Sequence, residues 1–452
     1  MKRLILFVAI LFSMISCLDD QSNVGENAIS YLSFKSEIEE IYQSEKFLTF
    51  ELDAPEVVQT TRDKELFYEW QINYKVVSTA KHLEYKCLES GLFPCRLKIY
   101  NEDGAIFKEF KLNVPFPYEE GLLLLSKYDE KSLLSFRSTD KPGEKFKIGV
   151  YALNNPRLPL GSEPKDIVYV EDNYSPNYIY IATENPVKLI KVDYRTMEVV
   201  NDIVYPEEHI DRMYGNGYSL VFFEQGRMLT MDCKLELFSN YFQQNLGREY
   251  PDVKLMDYYL IVRKVGSYRS NFLVASKSDN VLFTGESNVP TKHVIKDLTG
   301  GYIYGIVECN PNSEVISILK DKDGINRVIH IKVFENAMKS SYQAPADITS
   351  ESVFLTSKKE TVLYYSVGNQ IFRYNYLSEG NFPEDSDYTV GETGDVIKSM
   401  MFDADEEKLY VALDAASGDY KGCVYCYDVN TKALLWHERG VAGEIVRMIY
   451  KK

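Results

Sequence analysis

The feature that most constrains this chain is a recurring pair of short strands. Tyr178-Ile179-Tyr180-Ile181-Ala182 is followed by Lys188-Leu189-Ile190-Lys191-Val192-Asp193-Tyr194. Val362-Leu363-Tyr364-Tyr365-Ser366 is followed by Gln370-Ile371-Phe372-Arg373-Tyr374-Asn375-Tyr376, and Lys408-Leu409-Tyr410-Val411-Ala412 by Val424-Tyr425-Cys426-Tyr427-Asp428-Val429. Tyr364 and Tyr410 lie 46 residues apart, and Tyr180 precedes Tyr364 by 184, four times that interval. Steps of 46 also reach Leu134 and Phe272, although the step between falls on Gly226. A unit this small cannot bury its own apolar face, so copies must pack on one another. The stretch 118–452 holds about seven such units, within the four to eight blades of a β-propeller. A sandwich or barrel with coincidental spacing is the alternative.

Composition agrees with an all-β chain. There are 35 Tyr and 23 Phe against 2 Trp, and flat side chains suit a pleated surface. The net charge is -16 and becomes -18 once Lys2 and Arg3 leave with a signal peptide, which argues against nucleic acid as a partner.

Residues 1–16 read as a signal peptide: Lys2 and Arg3 precede the apolar run Leu4 to Phe12, and Ser13-Met14-Ile15-Ser16 leads to Cys17. The run is too short to span a bilayer. The pattern resembles a bacterial lipobox, which makes Cys17 the lipid attachment site. Residues 17–30 are then the lipidated N-terminus and a polar tether. Asp19 and Asp20 resemble the acidic export signal that sends Bacteroidota lipoproteins to the outside of the outer membrane.

From 31 to 115 the chain shows short alternating runs broken by turns, among them Phe47 to Leu52, Leu66 to Ile72, Cys95 to Tyr100 and Phe107 to Val114, as in a small β-sandwich. Tyr68-Glu69-Trp70, Val77-Ser78-Thr79, Leu83-Glu84-Tyr85, Arg96-Leu97-Lys98-Ile99 before Asp103-Gly104, and Val114-Pro115 leading to Gly121-Leu122-Leu123-Leu124-Leu125 together resemble the PKD-like lipoproteins of Bacteroidota, over residues 17–136. The resemblance implies a PKD/Ig-like domain behind a lipid anchor, followed by a β-propeller over 118–452. It also implies a cell-surface, SusCD-associated role, with components of a SusC/SusD-type importer as partners.

Six cysteines remain besides Cys17. Cys87 and Cys95 flank a Gly91/Pro94 turn and either form a disulfide across a hairpin or stay as two buried thiols. Cys423 and Cys426, three apart on a strand, point to opposite faces and suit core packing rather than metal binding. The five histidines occur singly, so no metal or cofactor is expected. Asp321-Lys322-Asp323-Gly324 opens like a calcium loop, but Lys332 stands where the bidentate Glu is needed, and a hairpin turn is the better reading. Asp403 to Glu407 likewise reads as an acidic turn.

No catalytic motif occurs. With the anchor and the domain order, the resemblance implies an accessory nutrient-binding component for an oligosaccharide or peptide. The alternatives are a hydrolase or lyase with its site at the propeller mouth, and a purely structural transporter subunit. Two segments mix aromatic, amide and cationic groups as a ligand would require: Arg212 to Tyr218, with Tyr214 and Asn216, and Ser267 to Asn271, with Tyr268 and Arg269. The competing reading is that these tyrosines pack between blades.

Overall fold

The computed structural model describes residues 29–61, 63–141, 143–171, 176–217, 219–266, 270–277, 280–286, 289–295, 298, 300–309 and 313–452. They form two compact units that divide between Pro117 and Tyr118, and both are all-β. Among the described residues, no helix is long and apolar enough to cross a membrane.

In the first unit, five strands pair in the order Ile41–Gln43, Ala105–Val114, Gly91–Tyr100, Phe67–Ile72 and Lys75–Ser78. Thr49–Asp53 pairs with His82–Lys86, and Leu32–Phe34 with Val57–Gln59. Alternation along Phe67–Ile72 sends Tyr68, Trp70 and Ile72 into one core. Trp70 is fully buried there, and its indole N–H donates to the Ala80 carbonyl at 2.9 Å. Asn101 organises the turn before Gly104 by accepting the backbone N–H groups of Asp103 and Gly104. Cys87 and Cys95 are buried and unbridged. The hairpin that would have joined them does not form. The strand before Cys87 pairs with Thr49–Asp53, whereas Cys95 sits between Ile72 and Phe110 in the other sheet.

The second unit contains seven four-stranded antiparallel sheets among the described residues. Six are built from consecutive strands, such as Ser162–Val170, Tyr178–Asn185, Val187–Asp193 and Val199–Ile203. The first sheet is the exception, because the C-terminal strand Glu444–Lys451 pairs with Gly121–Tyr128 and becomes its first strand. Seven apolar cores follow in turn, one at each junction between successive sheets, and the last joins the seventh sheet to the first. A strand in such a ring is buried on both faces. Ile179 and Ile181 enter the core with the first sheet, while Tyr180 and Ala182 enter the core with the third. Cys423 and Cys426 divide in the same way between two cores, so they pack rather than ligate. The calcium-like segment is a hairpin turn, with Asp321 Oδ1 accepting the N–H groups of Asp323 and Ile325. Asp403 organises its own turn similarly.

The end of the closing strand carries an unusual group. Lys451 is fully buried, its ammonium donating to the carbonyls of Tyr118 and Glu119 beside the rings of Phe136 and Tyr194. Burial lowers it from the ordinary 10.5 to about 7, against the opposing pull of Glu119, Asp193, Glu120 and Asp140. Between those two values the unfolded chain binds more protons than the folded one, so stability rises with pH there. The unfolding free energy is expected to grow by roughly 2 kcal/mol from pH 7 to pH 9 through this group alone. Urea titrations at both values would measure it, and Lys451→Met should flatten the rise. An equal rise in the variant would assign the effect to other groups.

Candidate functional site

The first strands of neighbouring sheets meet around the middle of the second unit, where one carboxylate ties three of them together. A register shift after Pro164 turns Asp166 of Ser162–Val170 inward, as bulges do. Its side chain is completely buried and accepts from the backbone N–H groups of Ile167 at 2.9 Å and Met213 at 2.7 Å. Arg447, on the closing strand, donates from Nη1 to both carboxylate oxygens at 2.7 and 2.8 Å and to the Met213 carbonyl at 3.1 Å. Arg212 Nε lies 3.7 Å from the same carboxylate. Every acceptor site of Asp166 that faces these strands is in use, so the cluster holds the ring rather than waiting for a ligand.

The sequence-selected residues sit just beyond it. The Tyr214 hydroxyl donates to the Asp257 carbonyl at 2.7 Å, and its ring packs on Phe223 and Tyr259. Burial pushes that hydroxyl up. Asn216 donates from Nδ2 to the Tyr259 hydroxyl at 2.9 Å. Both residues therefore make contacts between the third and fourth sheets. Cys17, Tyr218, Tyr268 and Arg269 lie outside the described residues.

The opposite end, where the first strands begin, carries two cavities that sequence reasoning missed. Both are built on one hairpin, Gly121–Tyr128 with Lys131–Ser138. Lys127 to Glu130 line a cavity of about 410 Å³ together with Asp419, Lys421 and Glu444. Four carboxylates there face two ammonium groups, with Lys127 on Glu163 at 2.7 Å and Lys421 on Glu444 at 2.9 Å. Tyr128 and Tyr420 stack at its edge, 4.1 Å apart and within 7° of parallel.

Lys131 to Leu134 line the second cavity, of about 520 Å³, with the helix Val150–Asn154 and the connection 155–161 as its other walls. Leu133, Tyr151, Ala152, Leu158 and Leu160 make it largely apolar. The far wall is braced. Asn155 donates from Nδ2 to the carbonyls of Tyr151 and Met197 and accepts the Val199 N–H, while the Ser132 N–H donates to the Gly161 carbonyl. Pro156 and Pro159 stiffen the connection further. A preformed apolar hollow of this size with a few polar groups is the usual form of a ligand site. The first unit has a smaller hollow of about 390 Å³ over Gln71, Arg96 and Glu109, which are neighbours in register, but its walls alternate in charge.

A third grouping resembles a nucleophile and base without being able to act as one. Cys309 Sγ lies 3.6 Å from His330 Nε2, and Glu314 Oε2 lies 2.6 Å from that same nitrogen. A relay needs the carboxylate on the other ring nitrogen, but Nδ1 is buried with no hydrogen-bond partner among the described residues. Burial pushes the thiol up and holds the imidazole below its usual range, against the pull of Glu314. The thiolate required for attack is thus disfavoured. Among the described residues, no group of three or more His, Cys, Asp or Glu side chains is placed to hold a metal ion.

No protein-family model matches the sequence, and no curated protein matches it. Solved structures do. A quinonprotein alcohol dehydrogenase-like protein from Bacteroides thetaiotaomicron superposes with a TM-score of 0.53 at 14% identity, over 94% of this chain and 99% of that one. A putative 6-phosphogluconolactonase from Bacteroides fragilis follows with a TM-score of 0.46 at 11% identity, over 74% of this chain and 98% of its own. Together with the closed succession of four-stranded sheets, the first likeness defines the chain as a β-propeller protein. At such identity a shared fold carries no shared activity.

Proposed function

We propose that this chain is a surface-exposed outer-membrane lipoprotein whose seven-bladed propeller, behind an Ig/PKD-like sandwich, binds a nutrient oligomer for a SusC/SusD-type importer. The observation that carries the binding role is the pair of preformed cavities on the hairpin of the first sheet, set beside a Cys309–His330–Glu314 grouping whose geometry blocks a relay. Support for the address is the Lys2/Arg3, apolar run and Cys17 pattern. Two acyl chains or more give lasting attachment, since each buried CH₂ contributes about 0.8 kcal/mol.

The experiment is a panel of calorimetric titrations of residues 18–452 with neutral oligosaccharides and short peptides, run beside turnover assays on the same compounds. Saturable binding without turnover is the expected result. Product formation would replace the binding role with the hydrolase or lyase reading. For the address, Cys17→Ala should move the protein from the membrane pellet to the soluble or precursor fraction. Normal membrane fractionation of that variant would refute the anchor.

A further inference from the structure

The two cavities differ in chemistry in a way that narrows the ligand class. The larger is walled by Leu133, Leu158, Leu160 and Tyr151, and Ser132 adds one hydroxyl to its lining. Ser132 Oγ, in its wall, is buried without a hydrogen-bond partner among the described residues. A buried hydroxyl left unpaired costs free energy that an incoming polar atom would recover. An occupant therefore needs an apolar body with a hydrogen-bonding group on it. The smaller cavity, reached from the preceding four residues of the same hairpin, has an excess of carboxylates: Asp129, Glu130, Asp419 and Glu444 against Lys127 and Lys421. That excess favours a cation. A neutral sugar polymer presents apolar C–H faces but no positive charge, whereas a peptide backbone carries apolar and cationic side chains at short spacing.

Building on the ligand-binding reading above, we propose that the ligand is a peptide, with an apolar or aromatic side chain seated between the Lys131–Ser138 strand and the 149–161 wall and a nearby Lys or Arg seated against Glu130 and Asp419. The 129–130 turn separates the two seats, so the peptide crosses the hairpin instead of running along it. The backbone carbonyl or amide next to the apolar residue meets the Ser132 hydroxyl.

The test uses residues 18–452 and the acetylated, amidated peptides Lys-Tyr, Lys-Gly-Tyr and Lys-Gly-Gly-Tyr, with versions carrying Glu for Lys or Ser for Tyr, beside cello-, xylo- and malto-hexaose. At least one Lys/Tyr peptide is expected to bind. Replacing Tyr by Ser should weaken it by about tenfold or more, the worth of a buried aromatic, and replacing Lys by Glu by about tenfold. Ala152→Trp, which plugs the cavity mouth from an exposed position, should abolish binding with an unchanged melting temperature, and Leu158→Arg offers a second block. Asp419→Lys should remove the preference for Lys over Glu. Binding of a hexaose that Ala152→Trp leaves intact, with no peptide bound, would overturn the peptide assignment while keeping the binding role. Failure of every compound would overturn both.

Discussion

A chain that stops at Gly443 is expected to lose cooperative unfolding of its second unit. The missing residues include Glu444–Lys451, which occupies the first position of the first sheet and pairs from Gly121↔Lys451 to Lys127↔Glu444. Its removal bares the edge of Gly121–Tyr128, an apolar strand buried along most of its length. It also takes Ile449 from one junction core and Ile445 and Met448 from another, opening both sides of the first sheet at once. Three buried aliphatic side chains are worth roughly 5–9 kcal/mol, which is comparable to the whole stability of a folded domain. The loss of Arg447 from Asp166 adds to this. Scanning calorimetry of 18–443 beside 18–452 should show a broad or absent transition in the shorter chain. A peptide spanning 444–452, added in trans, should restore part of it. A sharp transition in the shorter chain, near the full-length temperature, would show that the ring does not depend on its closing strand.

The repeat was legible because Tyr180, Tyr364 and Tyr410 each fall on the second strand of a sheet, the most completely buried strand, where alternation is cleanest. The fixed step of 46 fails where the ring departs from regularity. It reaches Leu134 on the third strand of the first sheet, because that sheet takes its first strand from the far end of the chain. It reaches Gly226 in a turn whose φ of 84° suits glycine, since the strands of the third sheet are short. It reaches Phe272 on the correct strand but the wrong face: Phe272 packs back toward the third sheet, and Leu273 toward the fifth. A one-residue slip is invisible to spacing and decisive for packing.

The cavities were not legible at all. Their walls come from 127–134, 149–161, 419, 421 and 444, those of the smaller cavity joined only when the C-terminal strand pairs back, and none of these stretches carries a motif. The loop reasoning that selected Tyr214 and Asn216 used composition, and composition does not say whether a tyrosine faces solvent or Tyr259. The same limit applied to Cys87 and Cys95, whose nearness in sequence hid their membership of different sheets.

Arg447→Ala is expected to cost about 3–5 kcal/mol, far more than loss of a surface ion pair, because of what it leaves behind. Asp166 has no solvent exposure and would keep two backbone N–H partners but lose the one counter-charge that lies within 3 Å among the described residues, with Arg212 left at 3.7 Å. By contrast, Lys35 and Glu56 meet at 2.7 Å on an open surface, where water screens the pair, so Lys35→Ala serves as the control. All three bonds leave the single nitrogen Nη1, so Arg447→Lys, which offers three donors from one nitrogen on a shorter side chain, should recover part of the loss. Removing both charges is the informative step. Arg447→Met with Asp166→Asn eliminates the stranded anion while keeping an acceptor for one of the two backbone N–H groups, Ile167 or Met213, and should regain part of the loss. Denaturant titrations of the two single variants and the double variant give the coupling energy directly. Additive costs in that cycle, or a loss under about 1 kcal/mol for Arg447→Ala, would mean that the junction cores hold the first three sheets together without this ion pair.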